Sequence, residues 1–280
     1  MLSPEDRRLI EKLHIRLGRT VDAPFAGEYR SAFRGQGMEF EDVRMYIPGD
    51  DVRAIDWNVT ARLGRPHIKQ FREERELQLM LMADVSASMR FGKKHQEKKR
   101  SMATIVGALA FAALRNGDRV GMLKFAQGVE EYIAPKKSRG HVWSLIHNIF
   151  LDPAEGKDTR FSEAIVHFTQ HLRRRCTVCI VSDFLFPLDT GLQILAHRHS
   201  VHAFIIHDPG EYCFPLRGLI DMMEAESEEH RLVDSRNIIS HNHVDTTQRT
   251  LQKMGIRCTS VSTDTDPVQM VLAHFRQFGS

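Results

Sequence analysis

The sequence has little of what would mark a membrane protein, a disulfide scaffold or a nucleic-acid binder. Its longest apolar stretch, Ile105 to Leu114, runs ten residues inside an amphipathic pattern, about half of what spans a bilayer. Its first residues lack the basic-then-apolar order of a signal peptide, so the expected location is the cytoplasm. Neither sign of charge dominates: 39 basic and 36 acidic residues leave a net +3. The one dense basic cluster, Lys93-Lys94 with Lys98-Lys99-Arg100, reads as the solvated entry of a helix, and no nucleic-acid partner is expected. There are only four cysteines. Cys176 and Cys179 have C-x-x-C spacing, which invites a redox or zinc reading. They lie in a β-branched run, however, and strand residues three apart point to opposite sides, which predicts core thiols. Cys213 and Cys258 have no such partner.

Several catalytic signatures are also missing. There is no G-x-S-x-G elbow and no P-loop. Gly35-Gln-Gly37 lacks both a preceding strand and a third glycine. No internal repeat and no low-complexity tract is present.

What the sequence does have is regular alternation. An amphipathic helix is predicted over 2–17, then an irregular stretch to about 75 with strand-like pieces at 43–47 and 67–71. From Glu76 the pattern is strand 77–83, helix 97–115, strand 118–126, edge strand 129–134, and helices near 140–151 and 161–174. A strand at 177–183, a helix at 189–199 and a strand at 201–206 follow. A hairpin, 219–224 against 230–233, precedes a helix near 243–254, a strand at 256–261 and a last helix from Pro267. Repeated β-α-β units with near-continuous apolar strands predict an α/β fold with a doubly wound, mostly parallel sheet. The expected division is an extension over 1–76, with a helix and a small β-rich part, and a main domain over 77–280.

Ligands of such sheets bind beyond the carboxyl ends of the strands. Asp84, Ser86 and Ser88 follow the first regular strand there. Thr159 precedes the helix that starts at Phe161, and Asp183 ends the strand at 177–183. A carboxylate and hydroxyls on one loop, joined by oxygens from two other strand ends, suit a hard divalent cation, Mg2+ or Mn2+. A phosphohydrolase of the haloacid dehalogenase type also places an Asp after its first strand. Its second carboxylate, two residues on, is Ser86 here. A magnesium-dependent phosphohydrolase using the Asp84-Ser86-Ser88 loop is the alternative reading.

Asp84-x-Ser86-x-Ser88-Met89, Thr159 and Val181-Ser-Asp183 resemble the metal-ion-dependent adhesion site of von Willebrand factor A domains. Upstream, Gly37-x-Glu39-Phe40, Arg44-x-Tyr46-x-x-Gly49-Asp50-Asp51-x-Arg53-x-Ile55-Asp56-Trp57 and Ala61-Arg62 resemble the signature of the bacterial domain-of-unknown-function family 58. Lys99, Gly117-Asp118-Arg119-Val120-Gly121 and Phe125 continue that likeness. The resemblance implies that Ser86, Ser88 and Thr159 give direct or near-direct oxygens and that Asp84 and Asp183 hold metal-bound waters. One departure is that Gly156 lies three residues before Thr159, with Asp158 beside the ligand. The resemblance further implies a non-enzymatic module whose cation accepts an acidic side chain from a protein partner. Relatives are typically encoded beside MoxR-type AAA+ ATPases, so the implied role is an adaptor or recruiting partner of such a machine.

Two further groups have open readings. Arg44, Asp50, Asp51, Arg53, Asp56 and Trp57 either form internal ion pairs around buried aromatics (Trp57, Tyr46, Phe40) or present a docking surface. His197, His199 and His202, with His241 and His243 at a distance, are read as ordinary histidines in preference to a second metal site. Arg173-Arg174-Arg175 is expected to close a helix, favourably against its dipole.

Overall fold

A computed structural model describes residues 4–21, 23–33, 38–73, 77–126 except 91–96, 128–151, 160–172, 174–211, 219–223, 230–234 and 242–278. Two helices, α1 (Pro4–Thr20) and α2 (Ala23–Phe33), open the chain. An antiparallel pair follows, β1 (Met38–Met45) with β2 (His67–Glu73), and the short helix α3 (Trp57–Leu63) lies between them in sequence. The main unit then runs β3 (Gln78–Asp84), α4 (Glu97–Asn116), β4 (Arg119–Phe125), β5 (Val129–Lys136), α5 (Arg139–Phe150), α6 (Phe161–His171) and β6 (Thr177–Ser182). It continues through α7 (Thr190–Arg198), β7 (Ser200–His207), the hairpin β8 (Leu219–Met223) and β9 (His230–Asp234), α8 (Asn242–Lys253), β10 (Arg257–Ser262) and α9 (Pro267–Phe278).

The main sheet has the order β10-β7-β6-β3-β4-β5. Every pairing is parallel except β4 with β5. The expected doubly wound, mostly parallel α/β sheet is therefore present. Period-two alternation divides the core: Leu79, Leu81 and Ala83 of β3 join one buried cluster, and Met80 and Met82 join the other. Helices α4, α5 and α9 cover the first face, while α6, α7 and α8 contribute to the second. The C-x-x-C thiols divide in the same way. Cys179 lies in the first cluster and Cys176, with Cys258, in the second, whereas Cys213 lies outside the described residues.

Three expectations need correction. The stretch after residue 17 is not irregular: α1 continues to Thr20 and α2 follows. Phe25, Tyr29 and Phe33 recur on one side of α2 and each packs edge-on against Phe275, as Tyr29 does against Phe33, at centroid separations of 4.6 to 5.8 Å. Such contacts are worth about 0.5–1.5 kcal/mol each beyond their buried area. Both helices thus share the first cluster with the sheet. At the α1 crossing, Gly107 of α4 lets the Leu17 side chain approach to where a Cβ would sit 2.4 Å away. Secondly, α6 ends at His171, so Arg174 and Arg175 follow the helix rather than close it. Thirdly, Trp57 is not buried but 70% exposed.

Candidate metal centre

The parallel register sets Ala83 beside Val181, so the ends of β3 and β6 are neighbours. The strand order also reverses here, with β4 and β5 on one side of β3 and β6, β7 and β10 on the other. A crevice at such a switch point is the usual ligand site of an open α/β sheet.

Asp84 is fully buried. Its Oδ1 accepts the Ser86 N–H at 2.9 Å, and its Oδ2 accepts the Ser182 hydroxyl at 2.5 Å. The Ser182 Oγ in turn accepts the Phe184 N–H at 2.8 Å. The first bond folds the loop back, and a single turn, Ala87–Arg90, begins after Ser86. That leaves the Ser86 and Ser88 hydroxyls 3.1 Å apart. Asp183, also buried, accepts the Leu185 N–H through Oδ1 at 3.2 Å and the Lys98 ammonium through Oδ2 at 3.0 Å. Phe184, at φ 55°, is the one non-glycine residue in the left-handed region among those described. Such strain gathers where surrounding structure fixes a functional side chain.

Of the basic cluster, Lys93 and Lys94 lie outside the described residues and Arg100 is exposed as expected, but Lys98 is not solvated. It is 0% exposed, pairs with both Asp183 and Glu211, and points its ammonium 3.4 Å from the Ser88 carbonyl. Burial acts to lower the ammonium's pKa, but Asp183 and then Glu211 outweigh it and the net shift is upward. Asp84 is pushed up to about 7, first by burial and then by the negative charge of Asp183.

These residues fit a hard divalent cation. The set offers carboxylate and hydroxyl oxygens, the chemistry that magnesium and manganese take. Asp183 and Glu211 share the Lys98 ammonium, while Asp84 is bonded to the neutral Ser86 N–H and Ser182 hydroxyl. Asp84, Ser86, Ser88 and Asp183 lie at the same edge of the sheet, at the ends of β3 and β6. Thr159, with Asp158 and Gly156, lies outside the described residues. The following residue, Arg160, is bonded through its N–H to the Ala126 carbonyl at 2.9 Å, just past the end of β4. Sequence reading missed Lys98, Glu211 and the supporting role of Ser182. Ser182 lay inside a quoted motif, but nothing in the sequence marks Glu211.

The histidines separate. His199 lies against Cys176, with Nδ1 3.2 Å from Sγ, and His202 meets His274 at 2.7 Å in the core. His197 is exposed, His241 lies outside the described residues, and His243 contacts the Asp183 carbonyl at 3.3 Å. In the upstream segment, Arg44 grips Asp50 with two 2.7 Å bonds. Asp51 caps the turn at Arg53, and Asp56 caps α3 through Asn58 and Val59.

Among the described residues no helix is long and apolar enough to cross a membrane. The chain is 30% identical over 274 residues to the uncharacterized proteins Mb1516 of Mycobacterium bovis and Rv1480 of Mycobacterium tuberculosis, covering 94% of this chain and 86% of each relative. The solved structure of BatB from Bacteroides thetaiotaomicron, a conserved hypothetical protein, matches with a TM-score of 0.48 at 13% identity over 72% of this chain and 98% of that one. The family model described as protein of unknown function DUF58 matches residues 42–252, and the chain belongs to that family.

Proposed function

We propose that the protein is a non-enzymatic, divalent-cation-dependent interaction module in which Asp84, Ser86, Ser88, Thr159 and Asp183 hold magnesium or manganese. One observation carries this reading: buried Asp84, held by the Ser86 N–H and the Ser182 hydroxyl, lies beside a pair of converging hydroxyls at the switch point of the sheet. When bound, the cation supplies a positively charged position that a carboxylate from another protein can complete. The chain's own groups prepare that position. Ser182 and the Ser86 N–H fix both oxygens of Asp84, while Lys98 and the Leu185 N–H fix those of Asp183. Each oxygen so held keeps a second lone pair, which can orient a water on the cation. The partner implied by the family resemblance is a MoxR-type AAA+ ATPase, or its client, offering an Asp or Glu.

The test is interferometry against a MoxR-type AAA+ ATPase, with magnesium and then with chelator. Binding should require the cation and be lost in Ser86→Ala. Undiminished binding in chelator would place the contact elsewhere. Turnover of a phosphate ester abolished by Asp84→Asn would establish the phosphohydrolase instead.

A further inference from the structure

Nine large apolar side chains stand exposed among the described residues, and five of them fall between residues 45 and 63: Met45, Ile47, Val52, Trp57 and Leu63. The other four, Leu151, Val166, Leu185 and Ile194, are single residues at separate places in the main unit. Scattered apolar residues are normal on a soluble protein, whereas a concentration of them marks a contact surface.

The stretch that bears them is rigidly framed. Arg44 clamps Asp50, whose Oδ2 also accepts the Ile47 N–H at 2.9 Å. Backbone bonds tie Tyr46 to Pro66 and Asp56 to His67, each at 2.9 Å. The Thr60 hydroxyl accepts the His67 N–H at 3.0 Å, and Gly64, at φ 71°, closes α3 in the left-handed conformation. This frame uses up the carboxylates: Asp50 is paired, while Asp51 and Asp56 cap turns. Arg53, Arg62 and Arg65 are all exposed, and none forms an ion pair with another described residue. The stretch therefore presents apolar side chains and unspent guanidinium groups, with its acids turned to internal work. Trp, Met and Arg are the residue types enriched where proteins meet.

We propose that residues 44–65 form a second docking surface, separate from the cation site, for a protein segment that carries acidic side chains around an apolar anchor. Charge selects this occupant. In a two-fold contact between copies the exposed guanidinium groups would meet a stretch whose own Asp50, Asp51 and Asp56 are already bonded. A nucleic-acid strand would find one stacking platform, Trp57, among aliphatic Met45, Ile47, Val52 and Leu63.

The test uses the full chain in chelator, which separates it from the cation-dependent reading. Fluorescence anisotropy follows three labelled probes: a peptide of Glu and Leu, its Lys and Leu counterpart, and an oligo-dT strand. The Glu/Leu peptide should bind. Trp57→Ala should weaken it at least tenfold, and the pair Arg53→Glu with Arg62→Glu should transfer the preference to the Lys/Leu peptide. Both variants replace exposed groups, and unchanged thermal unfolding checks that they fold. Binding of the Glu/Leu peptide that neither variant alters, or no binding at all, would overturn the proposal. So would a preference for oligo-dT, or self-association of the wild type that Trp57→Ala abolishes, which would assign the surface to nucleic acid or to a second copy.

Discussion

The carboxyl edge of the main sheet and the segment from Arg44 to Leu63 solve opposite problems. At the sheet edge, charged groups are buried: Asp84, Asp183 and Lys98 lie under the surface and satisfy one another only in part. In the upstream segment, charges are paired or capping at the surface while Met45, Ile47, Val52, Trp57 and Leu63 face water. Buried charge and exposed apolar area are each costly, and each is informative for that reason. The first calls for a cation and the second for a partner. The comparison also separates two kinds of aromatic residue, since Phe25 is sealed in the core beside Phe275 and Trp57 touches solvent.

The largest expected effect breaks the first half of that contrast. Lys98→Met leaves Asp183 and Glu211 without their shared cation and should destabilise the protein by about 3–5 kcal/mol in urea unfolding. Magnesium should restore more stability to this variant than it adds to the wild type, because it replaces the missing charge. Phe25→Ala should cost about as much, 3–5 kcal/mol, through the cavity it opens. A cost below about 1 kcal/mol would mean that α2 does not belong to the core. Chelation comes next. Loops bearing hydroxyl ligands do not hold up the sheet, so removing the cation should lower stability only by the linkage of a bound ligand, about 2.7 kcal/mol at a hundredfold excess over Kd. Collapse of the far-UV signal in chelator would make the site structural.

A pH effect follows at the far edge of the sheet. Burial and the nearby Arg257 lower His274 to about 3, and burial with His274 holds His202 well below its ordinary value. Both stay neutral in the fold, whereas the unfolded chain protonates them near 6.5. Stability should therefore be full above about pH 6.5 and fall as pH drops toward 3, by up to about 1.4 kcal/mol per unit per histidine. Denaturant midpoints between pH 7.5 and 5 for the wild type and His274→Gln would show the slope and its reduction. The smallest effect is Trp57→Ala, which should shift stability by no more than about 0.5 kcal/mol. A loss like that of Phe25→Ala would return Trp57 to the core.

These contrasts were unevenly legible in the sequence. The alternating elements from β3 to α9 were readable because strands apolar on both faces and amphipathic helices have distinct periods. That order sufficed to bring Asp84, Ser86, Ser88 and Asp183 to one edge. The helix α2 was missed because Pro24 and Gly27 read as punctuation, although Phe25, Tyr29 and Phe33 already stood at helical spacing. The burial of Lys98 was not readable, since its carboxylate partner Asp183 is 85 residues away and Lys99 and Arg100 follow it directly. The exposure of Trp57 was equally hidden. A tryptophan among aromatic and aliphatic residues suggests a core, and only the fold shows that its side chain has none to enter.

The cation at the sheet edge is the central claim, and calorimetric titration tests it most directly. Magnesium and manganese should each give a saturable isotherm with the wild type and none with Ser86→Ala, while both proteins unfold cooperatively as metal-free chains. Equal affinity in wild type and variant, or no heat of binding in either, would contradict the account.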